Sequence, residues 1–215
     1  IRYYLERSDQ SACLLTFDDG YKDHLACSKL LKSKNLSGIF FPPINSIKGE
    51  LLDVNAIHYL IGERKAGIDE VLSKIVSKIK EKNLAVISFK GNPITIDNYL
   101  QQDIEDKRYD DTSTFLVKKL LQRDIIGDDN RKNLICECLN YFSKMSIIDF
   151  AKSLYLSIQE LQQMHSDGMF FGSHGLTHRF LNTLSKHEQQ IEIVESFAEL
   201  EKLSLLNSNK EPKVM

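Results

Sequence analysis

The chain has 215 residues, 42% of them apolar, with 28 Lys and Arg against 30 Asp and Glu and a formal charge of −2. That length suits one large domain or two small ones, and the apolar fraction excludes extensive disorder. The charge balance lacks the basic excess expected of a nucleic-acid or anionic-membrane partner. No run reaches the roughly 18–20 apolar residues of a membrane-spanning helix, so no transmembrane segment is expected.

Four cysteines stand at 13, 27, 136 and 138. Cys136 and Cys138 form C-x-C rather than the C-x-x-C of zinc knuckles, so the expectation is free thiols buried as small hydrophobes, in a reducing compartment. The chain opens at Ile1 without a charged-then-apolar leader, so no signal peptide and a cytoplasmic location are expected. With 10 Gly and 4 Pro, a sandwich of many short strands is excluded.

Residues 1–49 read as a β-α-β start. Ala12 to Phe17 is a short apolar run closed by Asp18-Asp19-Gly20, the mark of a buried strand. Tyr21 to Lys34 has a helical pattern with Leu25, Leu30 and Leu31 on one side, and Leu36 to Phe41 is a second strand stopped by Pro42-Pro43. A strand, helix and strand at this spacing predict parallel pairing through a crossover.

Residues 50–166 read as a mostly helical insertion. Val71, Ile75 and Ile79 make an amphipathic stripe within a helix over 69–82. A strand or loop over 84–89 is broken by Gly91-Asn92-Pro93, and helices are expected over 115–121 and 130–142. Ser146 with Asp149, and Ser157 with Glu160, are N-cap signals; Leu156 and Leu161 add a hydrophobic staple. Residues 167–215 resume the first pattern. A strand over 168–173 runs into His174, and Ser185 with Glu188 caps a helix carrying Ile191, Val194 and Ala198 on its apolar face.

Two strand ends carry functional groups. Asp18 and Asp19 follow the first strand, where neighbouring side chains point apart and can take different roles; a surface turn is the competing reading. His174 and His178 follow the later strand, with Gly172 and Gly175 indicating a loop; a chance pair is the competing reading there. Taken together, both pairs lie at the C-terminal ends of parallel strands, where α/β barrels place chemistry. Two imidazoles and one carboxylate suit zinc or a similar divalent ion. A second carboxylate outside the metal could take a proton from water, which makes hydrolysis the natural chemistry.

Thr16-Phe17-Asp18-Asp19-Gly20 resembles the T-F-D-D-G motif of the polysaccharide deacetylase family, the NodB-homology carbohydrate esterases. Gly172-Ser173-His174-Gly175-Leu176-Thr177-His178 is similar to that family's second motif, and the resemblance covers roughly residues 12–45 and 155–205. It implies a distorted (β/α) barrel with a large helical insertion, Asp18 as catalytic base, and Asp19, His174 and His178 as ligands to a divalent metal, usually zinc. The implied reaction removes acetyl groups from N-acetylated sugars of a polysaccharide or glycan intermediate, in surface-polysaccharide synthesis.

The chain departs from the family pattern in several places. Gly175 stands where Ser or Thr often follows the first ligand histidine, with Thr177 available for the loop hydrogen bond instead. The later R-x-x-P-Y-G-like motif and the acid histidine are not found, so the barrel is expected to lack its C-terminal strands. A non-catalytic carbohydrate-binding or assembly module that keeps the metal site is the alternative. His58, His165 and His187 are expected on helix surfaces, as is His24, for which an approach to the site one turn after the acidic motif is the competing reading; Tyr21 either lines the groove or packs in the core.

Overall fold

The computed structural model describes residues 13–62, 67–88, 90–103 and 109–206. The elements begin with β1 (Thr16–Asp18), α1 (His24–Ser33), β2 (Ile39–Phe41), α2 (Ile44–Ile47) and α3 (Asp53–Gly62). Next come α4 (Ile68–Glu81), β3 (Val86–Ile87), β4 (Pro93–Ile94), α5 (Ile96–Leu100) and α6 (Thr112–Lys119), which runs into a π-helical turn at Leu120–Asp124. The last are α7 (Asp128–Ser143), α8 (Ile147–Leu154), α9 (Ile158–Ser166), β5 (Phe170–Phe171) and α10 (Lys186–Lys202). The fold is mixed α/β, and no described helix is long and apolar enough to cross a membrane.

Two compact units result. One holds the described residues up to Glu50 and from Ala151 onward; the other runs from Leu51 to Phe150. In the first, the strands form a parallel sheet in the order β1-β2-β5. The expected β-α-β crossover is present, with Phe17 opposite Phe40 and Phe40 opposite Phe171. Phe17 and Phe40 stack with ring centroids 4.6 Å apart, and Phe40 is 1% exposed. Leu31, Ile44, Leu156, Leu161, Met164 and Leu200 complete the core around them. Each such side chain stabilises the fold by about 1.5–3 kcal/mol when fully buried. Three strands do not close a barrel, and no closed barrel is formed among the described residues.

Both predicted capping boxes are present, at Ser157 with Glu160 and at Ser185 with Glu188. Ser146 likewise accepts the Asp149 N–H at 3.1 Å. Two apolar faces differ from the periodicity. On α1, Leu31 is buried but Leu30 is 61% exposed, because consecutive helical residues diverge by about 100° and only one can face the sheet. On α10 the buried residues are Glu192, Ser196, Phe197 and Leu200, while Val194 is 57% exposed. The reason is a polar partner for Glu192, described below.

The boundary of the helical block also differs. The helix expected to close that block is α9, yet the second unit ends at Phe150. Leu161 and Met164 of α9 are buried in the sheet unit's core, joined there by the staple residue Leu156. Within the second unit, Val71, Ile75 and Ile79 of α4 are fully buried, as their spacing predicts. β3 and β4 form an antiparallel hairpin, Val86 opposite Ile94; Phe89 lies outside the described residues. Of the cysteines only Cys138 is buried; Cys27 and Cys136 are half-buried, Cys13 is exposed, and all four are free. Ala12 and the terminal residues 207–215 lie outside the described residues.

Candidate metal centre

The site sits at the C-terminal ends of β1 and β5. Asp19 follows β1 in a left-handed backbone conformation, φ 72°, and its N–H donates to the Phe41 carbonyl at 3.1 Å. Gly20 is also left-handed, φ +69°, and a Cβ there would lie 2.9 Å from Pro42 Cβ. Only glycine allows the turn to approach the Pro42-Pro43 segment so closely. The segment before α9 clamps this turn from outside: Lys22 N–H donates to Leu154 O at 2.8 Å, and Leu156 N–H to Gly20 O at 3.0 Å. Tyr21 and Tyr155 stack between those bonds, with centroids 6.4 Å apart.

The histidine loop leaves β5 with the Gly172 N–H bonded to Phe40 O at 2.9 Å. Its carbonyls at Gly175 and Leu176 accept the N–H groups of Ile44 and Asn45 at 3.1 and 2.9 Å. Its N–H groups at Leu176 and Thr177 donate to Glu192 Oε2 at 2.7 and 3.0 Å, and the Thr177 hydroxyl donates to Oε1. Thr177 therefore supplies the loop hydrogen bond expected of it. Gly175, φ +78°, has no Cβ where one would lie 3.0 Å from Glu192 Oε2. That contact accounts physically for glycine at this position.

The result is convergence. His174 Nε2 lies 3.4 Å and His178 Nε2 3.2 Å from Asp19 Oδ1, and the two ring nitrogens are 3.0 Å apart. All three side chains are about a fifth to a third exposed, so the cluster is partly desolvated yet open to solvent. Ligand atoms bound at 2.0–2.1 Å stand about 3.3 Å apart around a tetrahedral ion and about 2.9 Å apart around an octahedral one. The three observed separations fall between those bounds or within 0.1 Å of them, so Asp19, His174 and His178 could hold a metal ion. Hydrogen bonds from His174 and His178 hold the Asp19 carboxyl well below the usual carboxylate range. It is an anion at any pH where the imidazoles can act as ligands.

Tyr21 resolves as a neighbour of the site. Burial, then the Asp19 charge and its hydrogen bond to that carboxylate, push the Tyr21 phenol up to about 12. It stays a neutral donor that fixes the orientation of Asp19. Asp18 is exposed at the end of β1 and is not one of the converging three.

His24 is not a surface residue. Its ring packs against Phe17, Tyr21 and Phe40 at 5.6–5.9 Å, its Nδ1 is buried without a hydrogen-bond partner among the described residues, and burial lowers its pKa. His165 is half-buried, its Nδ1 3.3 Å from Met169 O, while His58 and His187 are exposed as expected. Glu192 was missed by the periodicity reading. The signal for it is the spacing of Glu192, Ser196 and Leu200, which puts an acid on the buried side of a capped helix. Comparison with protein-family models, curated proteins and solved structures finds no match to this chain.

Proposed function

We propose that this chain is a metal-dependent hydrolase of the polysaccharide deacetylase type, removing acetyl groups from N-acetylated sugars of a glycan, with zinc as its ion. On this reading it is a cytoplasmic protein with a saccharide partner, and its parallel strands belong to a distorted (β/α) barrel. The observation that carries the proposal is the convergence of Asp19, His174 and His178, with ligand atoms 3.0–3.4 Å apart, from two segments far apart in sequence. These are the same three residues that the T-F-D-D-G and H-x-x-x-H resemblance nominates as ligands.

A divalent ion held there supplies Lewis-acid polarisation of the acetyl carbonyl and a more acidic water. The chain's own residues do the rest. With an ion held by Asp19 and the two Nε2 atoms, each imidazole would carry its proton on Nδ1. Tyr21 keeps the Asp19 carboxylate oriented. Asp18, exposed beside Asp19, takes the proton of the attacking water as its oxygen adds to the acetyl carbon. The nitrogen takes the proton held by Asp18 as the C–N bond breaks, releasing the sugar amine and acetic acid, which ionises to acetate.

The test is metal content of the purified chain, measured beside acetate release from a chitooligosaccharide. About one equivalent of zinc with acetate release is the expected result. Metal without acetate would turn the reading toward a saccharide-binding or assembly module. A chain that takes up no metal would refute the site.

A further inference from the structure

We propose that Glu192 is a positioning residue of the metal centre, setting the backbone of the His174–His178 loop so that both Nε2 atoms face Asp19; this rests on the metal-centre reading above. Glu192 is 6% exposed, and no cation pairs with it among the described residues. A carboxylate buried that deeply is unfavourable unless hydrogen bonds satisfy it. Its three donors among the described residues come from the two residues immediately before His178: the Leu176 N–H, the Thr177 N–H and the Thr177 hydroxyl.

The loop needs such an anchor. Gly175 and His178 both have left-handed backbones, φ 78° and 59°, a conformation disfavoured for a residue with a side chain such as histidine. No sheet ladder among the described residues reaches Leu176 and Thr177, so their N–H groups have no regular partner. Glu192 takes two of them from one side, while the N–H groups of Ile44 and Asn45 hold the Gly175 and Leu176 carbonyls from the other. One turn further along α10, Ser196 bonds Ser173, whose hydroxyl oxygen accepts the Gly175 N–H at 3.0 Å. The loop is thereby fixed just before His174 and again between the two histidines. An apolar side chain at position 192 would fill the same space but leave the N–H groups of Leu176 and Thr177 without an acceptor.

Cobalt(II) serves as the probe. Its affinity is measured by competition with a chromophoric chelator, its visible spectrum reports ligand geometry, and melting of the metal-free chain reports stability. Glu192→Ala is expected to weaken cobalt binding by about 10- to 100-fold, the range for residues that orient metal ligands, and to change the spectrum. Glu192→Gln, which keeps an oxygen for the two N–H groups, is expected to stay within a few-fold of wild type.

A Glu192→Ala chain that melts lower but binds cobalt with wild-type affinity and spectrum overturns the inference, since that is a purely structural role. A Glu192→Gln chain as weak as Glu192→Ala overturns the hydrogen-bond basis. Should Glu192→Ala fail to fold, Thr177→Val removes one arm alone and is expected to weaken binding several-fold; unchanged affinity there also overturns it. A wild-type chain without cobalt affinity overturns the site and the inference together. Cobalt affinity that depends on Glu192 in a chain releasing no acetate supports the inference and refutes the deacetylase reading.

Discussion

Gly20→Ala tests how the acidic turn is held. The new Cβ would stand 2.9 Å from Pro42 Cβ and 3.4 Å from Pro42 Cα, against the 3.5–4.0 Å of a relaxed carbon contact. Pro42 cannot swing away, because its ring is fixed to the backbone and Pro43 follows it. The left-handed backbone adds roughly 1–2 kcal/mol for alanine, and forced overpacking typically adds about 1–3 kcal/mol. The expected loss is therefore about 2–5 kcal/mol in the stability of the sheet unit. Gly168→Ala is the matched control: it lies in the same unit at φ +90° with no atom of the described residues within 4 Å of its Cβ position, so it carries the backbone part alone. Urea denaturation followed by circular dichroism measures both. If Gly20→Ala costs no more than Gly168→Ala, close packing on Pro42 does not hold the turn.

Asp19→Ala and His174→Ala should each abolish stoichiometric metal uptake, whereas Asp18→Asn should keep the metal and lose acetate release; elemental analysis beside an acetate assay separates the two classes. Burial lowers the His24 pKa in the fold, so the unfolded chain takes a proton first as pH falls below its ordinary 6.5. Stability should hold above that pH and decline below it, a slope that His24→Phe removes in chelator-treated protein. In the helical unit the Tyr99 hydroxyl donates to buried Asp124 at 2.7 Å. Tyr99→Phe should destabilise by about 1–3 kcal/mol in thermal denaturation, and a loss under 0.5 kcal/mol would mean water replaces the bond.

Helix positions with local signals were legible because their physics is local. The Ser157 and Ser185 caps each close a ring with a glutamate three residues on, and the α4 stripe at 71, 75 and 79 is a property of helical pitch. Where burial depends on what the helix meets, the pattern misled. Val194 looks apolar enough for a core yet faces solvent, because Glu192 takes the inward position to reach the histidine loop. His24 reads as a helix-surface residue, yet three aromatic rings from β1, β2 and the acidic turn enclose it. The helical unit ends earlier than the helical pattern does for a similar reason: α9 resembles its predecessors in sequence, but Leu161 and Met164 find their apolar partners in the core of the sheet unit.

The strand-helix-strand start, the caps, and the residue types of the centre, a doubled aspartate after one apolar run and two histidines four apart after another, are all readable from the order of residues alone. Those features follow from chain-local chemistry, namely side-chain alternation, helical pitch and the satisfaction of helix-end N–H groups. The tertiary structure supplies the physical reason that Asp19 rather than Asp18, as the resemblance implies, turns toward the histidines. That choice follows from a left-handed residue outside the strand, an Asp19 N–H bonded to Phe41, and a glycine packed on Pro42. It also decided that a glutamate within α10 would hold the loop, since hydrogen bonds between segments distant in sequence exist only once the sheet has brought them together.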